Sequence, residues 1–240
     1  MTDITRRQML TATLGGLAGI VGARFAAVEL LGRKDLEFET SASAASVEAK
    51  KKKVIVLDPG HGMGNRNANV YDPGAVSGGY KEADIVLYQA VVIKGLLEKK
   101  GYEVYLTRED EKTPTSLASR AELAERVNAD AFVSLHCNAF SSESANGQET
   151  YYGNGGGSQE LADYVQKSLL RQLEAGKKKV NNRGVKSGNF RVLKTNKLPT
   201  VLVESGFLSN PDNREYLADG VLDVETAIAE GIDAYLKTKK

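Results

Sequence analysis

The 240-residue sequence predicts an α/β fold: a mostly parallel twisted sheet flanked by helices, built as a single domain from residue 54 onward. Three observations carry that expectation. Short unbroken apolar runs stop at Gly, Pro or Asp, longer segments carry apolar residues at helical spacing, and the two kinds alternate along the chain. Val54-Ile55-Val56-Leu57 is the first such run, halted by Asp58-Pro59-Gly60, as expected of a strand buried on both faces. Ile85, Tyr88, Val92 and Leu96 then recur at helical spacing, so residues 82–100 form a helix that Gly101 ends. Residues 103–107 read as a strand, 116–128 as a helix and 131–135 as a second buried strand. Residues 148–152 alternate as a strand, 153–157 are a glycine-rich turn, and Leu161, Val165, Leu169 and Leu173 stripe one helix face. Residues 177–188 are basic and rich in Asn and Gly, and are expected to be an exposed loop. Thr200-Val201-Leu202-Val203 is the last strand, and Val221, Val224, Ile228, Ile232 and Tyr235 give a closing amphipathic helix that packs on the sheet.

Composition narrows the function classes. At 41% hydrophobic and 26% charged, with 24 Gly and 5 Pro, the chain is an ordinary globular one, neither disordered nor collagen-like. Lys+Arg 32 against Asp+Glu 31 leaves a net charge of +1, so no nucleic-acid partner is expected. A single cysteine excludes an intramolecular disulfide, and two histidines mean that any zinc site must recruit a carboxylate.

Residues 1–44 read as an export signal. Arg6-Arg7 precedes an uncharged Ala/Gly/Leu-rich run over 8–23, and Ser41-Ala42-Ser43-Ala44 brings small residues in A-x-A spacing. The run falls short of the roughly 20 residues that a spanning helix needs, so a twin-arginine leader is expected rather than a stable transmembrane anchor, the alternative being an amphipathic N-terminal helix that stays attached. Residues 45–53 follow as a basic, solvated lead-in. The protein is therefore expected in the periplasm, the cell wall or the extracellular space.

Ligands gather outside the carboxyl ends of strands in open parallel sheets. Three strands here end in reactive side chains: Asp58-Pro59-Gly60-His61-Gly62, Ser134-Leu135-His136-Cys137-Asn138 and Val203-Glu204-Ser205-Gly206-Phe207. Both histidines thus stand just beyond strands of one sheet, which points to a shared site. Gly60, Gly62 and Gly64 do not satisfy G-x-G-x-x-G, and no G-K-[ST] follows, so nucleotide binding is not expected. Cys137 beside His136 raises a cysteine-hydrolase reading, but neighbours on a strand point to opposite faces, which leaves Cys137 as a buried thiol packed behind the site. Glu204 follows a buried strand, where an unpaired carboxylate is costly, and is a functional candidate on that ground.

VIVLDPGHG (54–62), the segment 79–87, Thr107-Arg108, Ser116-Leu117-Ala118-Ser119-Arg120, SLHCNA (134–139) and PTVLVESGFLSN (199–210) together resemble the zinc-dependent N-acetylmuramoyl-L-alanine amidases of the amidase-3 type, in order and spacing, over roughly residues 54–236. The resemblance implies an amidase catalytic domain over 54–240 and one zinc ion held by His61, Glu82 and His136. It implies Glu204 as general base and acid, assisting attack of zinc-bound water on the amide between the N-acetylmuramic acid lactyl group and L-alanine of peptidoglycan, then returning the proton to the leaving nitrogen. Without the resemblance Glu82 is only a first-turn glutamate favoured by the helix dipole. Arg120 and Asn138 match recurring positions and are candidates for substrate binding, with Arg120 on a helix surface beside Glu122 or Glu125 as the plain alternative. Asp58 either bonds the backbone of the glycine turn or supports a ligand histidine. Lys186, Asn189 and Arg191 are candidates to meet stem-peptide carboxylates. Residues 139–159 are expected to leave no room for the self-blocking helix of certain division amidases, and no wall-binding module is expected beside the domain. A monomer is expected. The alternative is a catalytically inactive peptidoglycan-binding or regulatory protein on the same fold. Zinc ligation by neutral histidine predicts activity that falls through about pH 6.5 on acidification.

Overall fold

The computed structural model describes residues 51–178, 181–194, 197–218 and 223–239. The export signal expected over 1–44, the start of the lead-in and Val221 lie outside the described residues. In chain order the elements are β1 (Val54–Pro59), the two-residue strands β2 (Gly62–Met63), β3 (Tyr71–Asp72), β4 (Val76–Ser77) and β5 (Tyr80–Lys81), α1 (Glu82–Lys99), β6 (Glu103–Leu106), α2 (Leu117–Arg126), β7 (Ala131–Asn138), β8 (Gln148–Tyr152), α3 (Ser158–Ala175), β9 (Asn182–Ser187), α4 (Arg191–Lys194), β10 (Thr200–Phe207), α5 (Pro211–Ala218) and α6 (Asp223–Lys237). The main sheet has the order β6-β1-β7-β10-β8-β9. Strands β6, β1, β7 and β10 run parallel, β8 is antiparallel to β10, and β9 is parallel to β8. The α/β, mostly parallel architecture expected from the sequence is the one observed.

Alternation along the buried strands sets the two faces. Ile55, Leu57, Val133, Leu135, Cys137, Val201 and Val203 join the large core with α1, α3 and α6. Val54, Val56, Phe132 and Leu202 join a smaller core with Ala124 of α2 and Val192 and Leu193 of α4. The leucine stripe of α3 is fully buried in the large core, where truncating one such leucine to alanine costs about 2–5 kcal/mol. By the same alternation Asp58, His136 and Glu204 continue the Val56, Phe132 and Leu202 rows. They face the α2–α4 side at the carboxyl ends of their strands, with Asp58 in register with Ser134 and Glu204 with His136.

Several elements depart from the sequence reading. Strands β7 and β10 continue past residues 135 and 203, so His136 and Glu204 are strand residues rather than residues beyond the strand ends. The basic stretch 177–188 is not simply a loop: β9 occupies residues 182–187 at the sheet edge. The backbone of β8 supplies the pairing, and two of the basic side chains find a carboxylate partner. Arg183 and Lys186 both pair with Glu149, Arg183 lying over the Phe207 ring and Lys186 over the Tyr151 ring. Helix α5 was also not anticipated, although its start follows helix-entry rules. Asn210 Oδ1 accepts the Asn213 N–H at 3.0 Å, and Pro211 takes the first helical position.

Candidate metal centre and its surroundings

The turn after β1 presents His61. Gly60 N–H donates to the Leu135 carbonyl at 3.1 Å, which ties the turn to β7. Gly60 has to be glycine, because a Cβ there would stand 2.4 Å from His136 Nε2. His61 itself has φ 62°, a left-handed conformation that costs a non-glycine residue about 1–3 kcal/mol. Its Nδ1 lies 3.0 Å from Asp72 Oδ2 of β3, and its Nε2 lies 3.0 Å from Glu82 Oε2.

Glu82, the first residue of α1, is buried between the two histidines. Its Oε1 is 2.8 Å from His136 Nδ1 and accepts the Cys137 N–H at 3.0 Å, while Oε2 accepts the Ala75 N–H at 2.8 Å. Burial by itself would raise its pKa, but the hydrogen bonds and charges of His136 and His61 hold this carboxyl well below the usual range. One ligand atom from each of His61, Glu82 and His136 lies within 4.8 Å of the others.

Two tests of this geometry favour a divalent cation. The donors are two imidazoles and an ionised carboxylate, a set that suits zinc, and Asp72 fixes the tautomer of His61 from the far side of its ring. Space is also reserved around the donors: a Cβ on Gly74 would lie 2.5 Å from Glu82 Oε2 and 2.7 Å from His61 Cδ2.

Glu204 shares a cavity of about 450 Å³ with these three residues, lined also by Arg66, Phe190 and Arg191. Its Oε2 is buried with no hydrogen-bond partner among the described residues. Burial first, then the negative charges of Glu82 and Glu149, push its pKa well above the usual carboxylate value. Glu149 is its register partner on β8 and is 2% exposed, but it is compensated. It accepts Asn138 Nδ2 at 2.7 Å and pairs with Lys186 and, at 3.4 Å, with Arg183. Because β8 runs antiparallel to β10, its first residues come to the end of the sheet where β1, β7 and β10 finish, which is why Glu149 belongs to this site.

The remaining candidates are placed as follows. Arg120 is 1% exposed, so it is not on a helix surface beside Glu122 or Glu125. The buried face of α2 is made of Arg120 with the small residues Ala121 and Ala124, which lets the arginine reach the turn. Its guanidinium donates to Asp58 Oδ1 at 2.7 Å, to the Pro59 carbonyl at 2.8 Å and to the carbonyls of His61 and Thr115. The Asp58 carboxylate makes no hydrogen bond to the N–H groups of the glycine turn or to either histidine among the described residues. It accepts from Arg120, from Thr107 Oγ1 at 2.6 Å and from Ser134 Oγ at 2.7 Å. Asn138 is engaged with Glu149, and Arg191 lies at the cavity wall. Cys137 is 2% exposed on the opposite face of β7, where burial first and then the charges of Glu82 and Glu204 raise its thiol well above its usual value. That disfavours a thiolate. Sequence reasoning missed Asp72, Glu149 and the structural use of Arg108. Asp72 sits in a two-residue strand that no periodicity marks, and a lone arginine after a strand gives no sign of burial.

A sequence profile described as N-acetylmuramoyl-L-alanine amidase matches residues 55–234. The N-acetylmuramoyl-L-alanine amidase AmiA of Escherichia coli K12 is 31% identical over 281 residues, covering 98% of this chain and 92% of that protein. The probable cell wall amidase LytH of Staphylococcus saprophyticus is 35% identical over 193 residues, covering 77% of this chain and 59% of that protein. The chain thus spans less than two thirds of the LytH length. The catalytic domain of CwlV, an N-acetylmuramoyl-L-alanine amidase from Bacillus (Paenibacillus) polymyxa var. colistinus, superimposes with a TM-score of 0.68 at 35% identity, covering 78% of this chain and 99% of that domain. With the profile spanning most of the chain and AmiA aligned along nearly all of it, this protein belongs to the N-acetylmuramoyl-L-alanine amidase family.

Proposed function

We propose that this chain is a zinc hydrolase that cleaves the amide between the lactyl group of N-acetylmuramic acid and L-alanine in peptidoglycan, acting outside the cytoplasm after export through residues 1–44. The observation that carries the reading is the convergence of His61, Glu82, His136 and Glu204 on one open cavity, with Glu204 Oε2 lacking a hydrogen-bond partner among the described residues.

His61, Glu82 and His136 would hold the ion. A bound zinc supplies positive charge that polarises the scissile carbonyl and acidifies a water. Asp72 holds the His61 ring so that Nε2 faces the cluster, and the N–H groups of Ala75 and Cys137 hold the Glu82 carboxylate in place. Glu204 Oε2 takes the proton of the attacking water and returns it to the departing L-alanine nitrogen. The supporting fact is a proton affinity raised by burial and by Glu82 and Glu149, suited to a group that must carry a proton between two partners. Arg66 and Arg191 on the cavity wall give the anionic stem peptide cationic contacts. Among the described residues no helix is long and apolar enough to cross a membrane.

The test is release of L-alanine amino termini from purified peptidoglycan by the full chain, beside a chelated sample and the same sample restored with zinc. Cleavage lost on chelation and regained with zinc supports the reading. Zinc-loaded protein that sediments with cell wall but releases nothing would favour the non-catalytic binding protein instead.

A further inference from the structure

We infer that Arg108 is a positioning residue that sets the spacing between His61 and Glu82 by tying their two backbone segments together through one buried guanidinium. Arg108 is 2% exposed. Its Nε donates to the Pro59 carbonyl at 2.9 Å, and its Nη2 donates to the Gly60 carbonyl at 2.8 Å and to the Ala83 carbonyl at 2.7 Å. Pro59 and Gly60 are the two residues before His61, and Ala83 follows Glu82. The direct chain path between the two histidine and glutamate positions runs through residues 62–81, a stretch of two-residue strands and turns that offers little stiffness of its own. Arg108 bypasses that stretch.

Arg120 makes a useful contrast. It also holds the turn, through Pro59 and His61, but it makes no hydrogen bond to α1 and its charge is met directly by Asp58. Arg108 spends its donors on carbonyls on both sides of the gap. Burial first and then the Arg120 charge lower its pKa to about 10, which leaves it protonated at neutral pH, so the fork remains a full set of donors. Its Nη1 also donates to the Asp110 carbonyl at 3.3 Å, and four carbonyls reached from one planar group is a geometry that a lysine ammonium does not reproduce. Gly62 makes room for the fork, since a Cβ there would stand 2.9 Å from Arg108 Nε.

The inference rests on His61, Glu82 and His136 being the metal centre, and its test separates the two claims. Full-chain wild type and Arg108→Lys are compared by zinc affinity in competition with a chromophoric chelator, by the visible absorption of the cobalt(II)-loaded proteins, and by the thermal midpoint of the metal-free proteins. The expected result is a folded Arg108→Lys chain whose zinc affinity is weakened at least about tenfold, the low end for groups that orient metal ligands, with an altered cobalt spectrum. A lowered midpoint with unchanged affinity and spectrum would overturn the inference, since Arg108 would then be merely structural. Arg108→Gln serves in the same assay if the lysine variant does not fold, and failure of both to fold with or without zinc also overturns it. Wild type that binds neither ion removes the metal-centre reading itself.

Discussion

Asp72 Oδ2 stands 3.0 Å from His61 Nδ1, on the far side of the imidazole from Glu82. That contact decides which ring nitrogen faces the cluster, because a carboxylate accepting from Nδ1–H leaves the Nε2 lone pair for a metal. Burial would raise the Asp72 pKa, but hydrogen bonds from Asn65, Gly74 N–H and His61 bring it down to about 2, so it stays ionised wherever the protein works. Asp72→Asn keeps an acceptor oxygen and loses the charge. Zinc affinity is expected to fall about 10–100-fold, measured by chelator competition. Unchanged affinity would mean that Asp72 does not govern the ring.

The same network sets the pH at which metal loading fails. Burial would lower the His61 pKa, but hydrogen bonds and charges from Glu82 and Asp72 outweigh it and raise the value above 6.5. Zinc needs the neutral ring, so a raised pKa moves proton competition to higher pH rather than lower. Apoprotein affinity should begin to fall above pH 6.5 on acidification, by about one log unit per pH unit for each proton displaced. A titration flat down to about pH 6 would contradict this.

The sheet and the two histidines were legible because each rests on a strong local signal, whereas Glu82 was singled out only through the family resemblance. Val54 to Leu57 is unbroken and apolar, and the alternation of β7 puts His136 and Cys137 on opposite faces whatever surrounds them. The supporting shell was not legible. Asp72, Glu149 and Arg108 reach the site through an excursion of two-residue strands, an antiparallel strand and a buried guanidinium, none of which leaves a periodic trace. The strand β9 was hidden for a related reason. Its basic residues read as a solvated loop until Glu149, far along the chain, supplies their partner. Arg120 likewise reads as surface in isolation and is pulled inside by Asp58.

Glu204 Oε2 has no hydrogen-bond partner among the described residues, so replacing it tests chemistry with little confounding from folding. Glu204→Gln should bind zinc like wild type and lose about 10²–10⁴-fold in turnover. Its thermal midpoint should hold or rise, since a buried carboxyl is costly to ionise and an amide is not. Zinc content, L-alanine release and a melting curve on one preparation decide the matter. Turnover within a few-fold of wild type would remove Glu204 from the mechanism.

Cys137 provides the opposite control. The thiol is buried behind the strand, and burial with the charges of Glu82 and Glu204 keeps it protonated. Cys137→Ala should retain near-wild-type turnover, an alkylating thiol reagent should leave the native enzyme active, and a chelator should silence it. The reverse pattern would restore the cysteine-hydrolase reading.

The Asp58–Arg120 pair ties fold to site, because the same guanidinium that Asp58 neutralises also holds the His61 carbonyl. Asp58→Asn is nearly isosteric and can still meet Thr107 and Ser134, but it leaves a 1%-exposed arginine without its counter-charge. Breaking a buried pair in this way costs about 3–5 kcal/mol. Burial would raise the Asp58 pKa, yet the Arg120 charge and three hydrogen bonds outweigh it and hold it below 3.8 in the folded state. A depressed folded pKa means that the pair's stabilisation is complete above the unfolded value and is lost only as pH falls through the lower folded one. Urea unfolding of wild type and Asp58→Asn should therefore show a constant gap from neutrality down to about pH 5, narrowing below about pH 4. A gap that closes nearer neutrality would mean that some other group, and not Asp58, carries the charge that holds Arg120 beneath the turn.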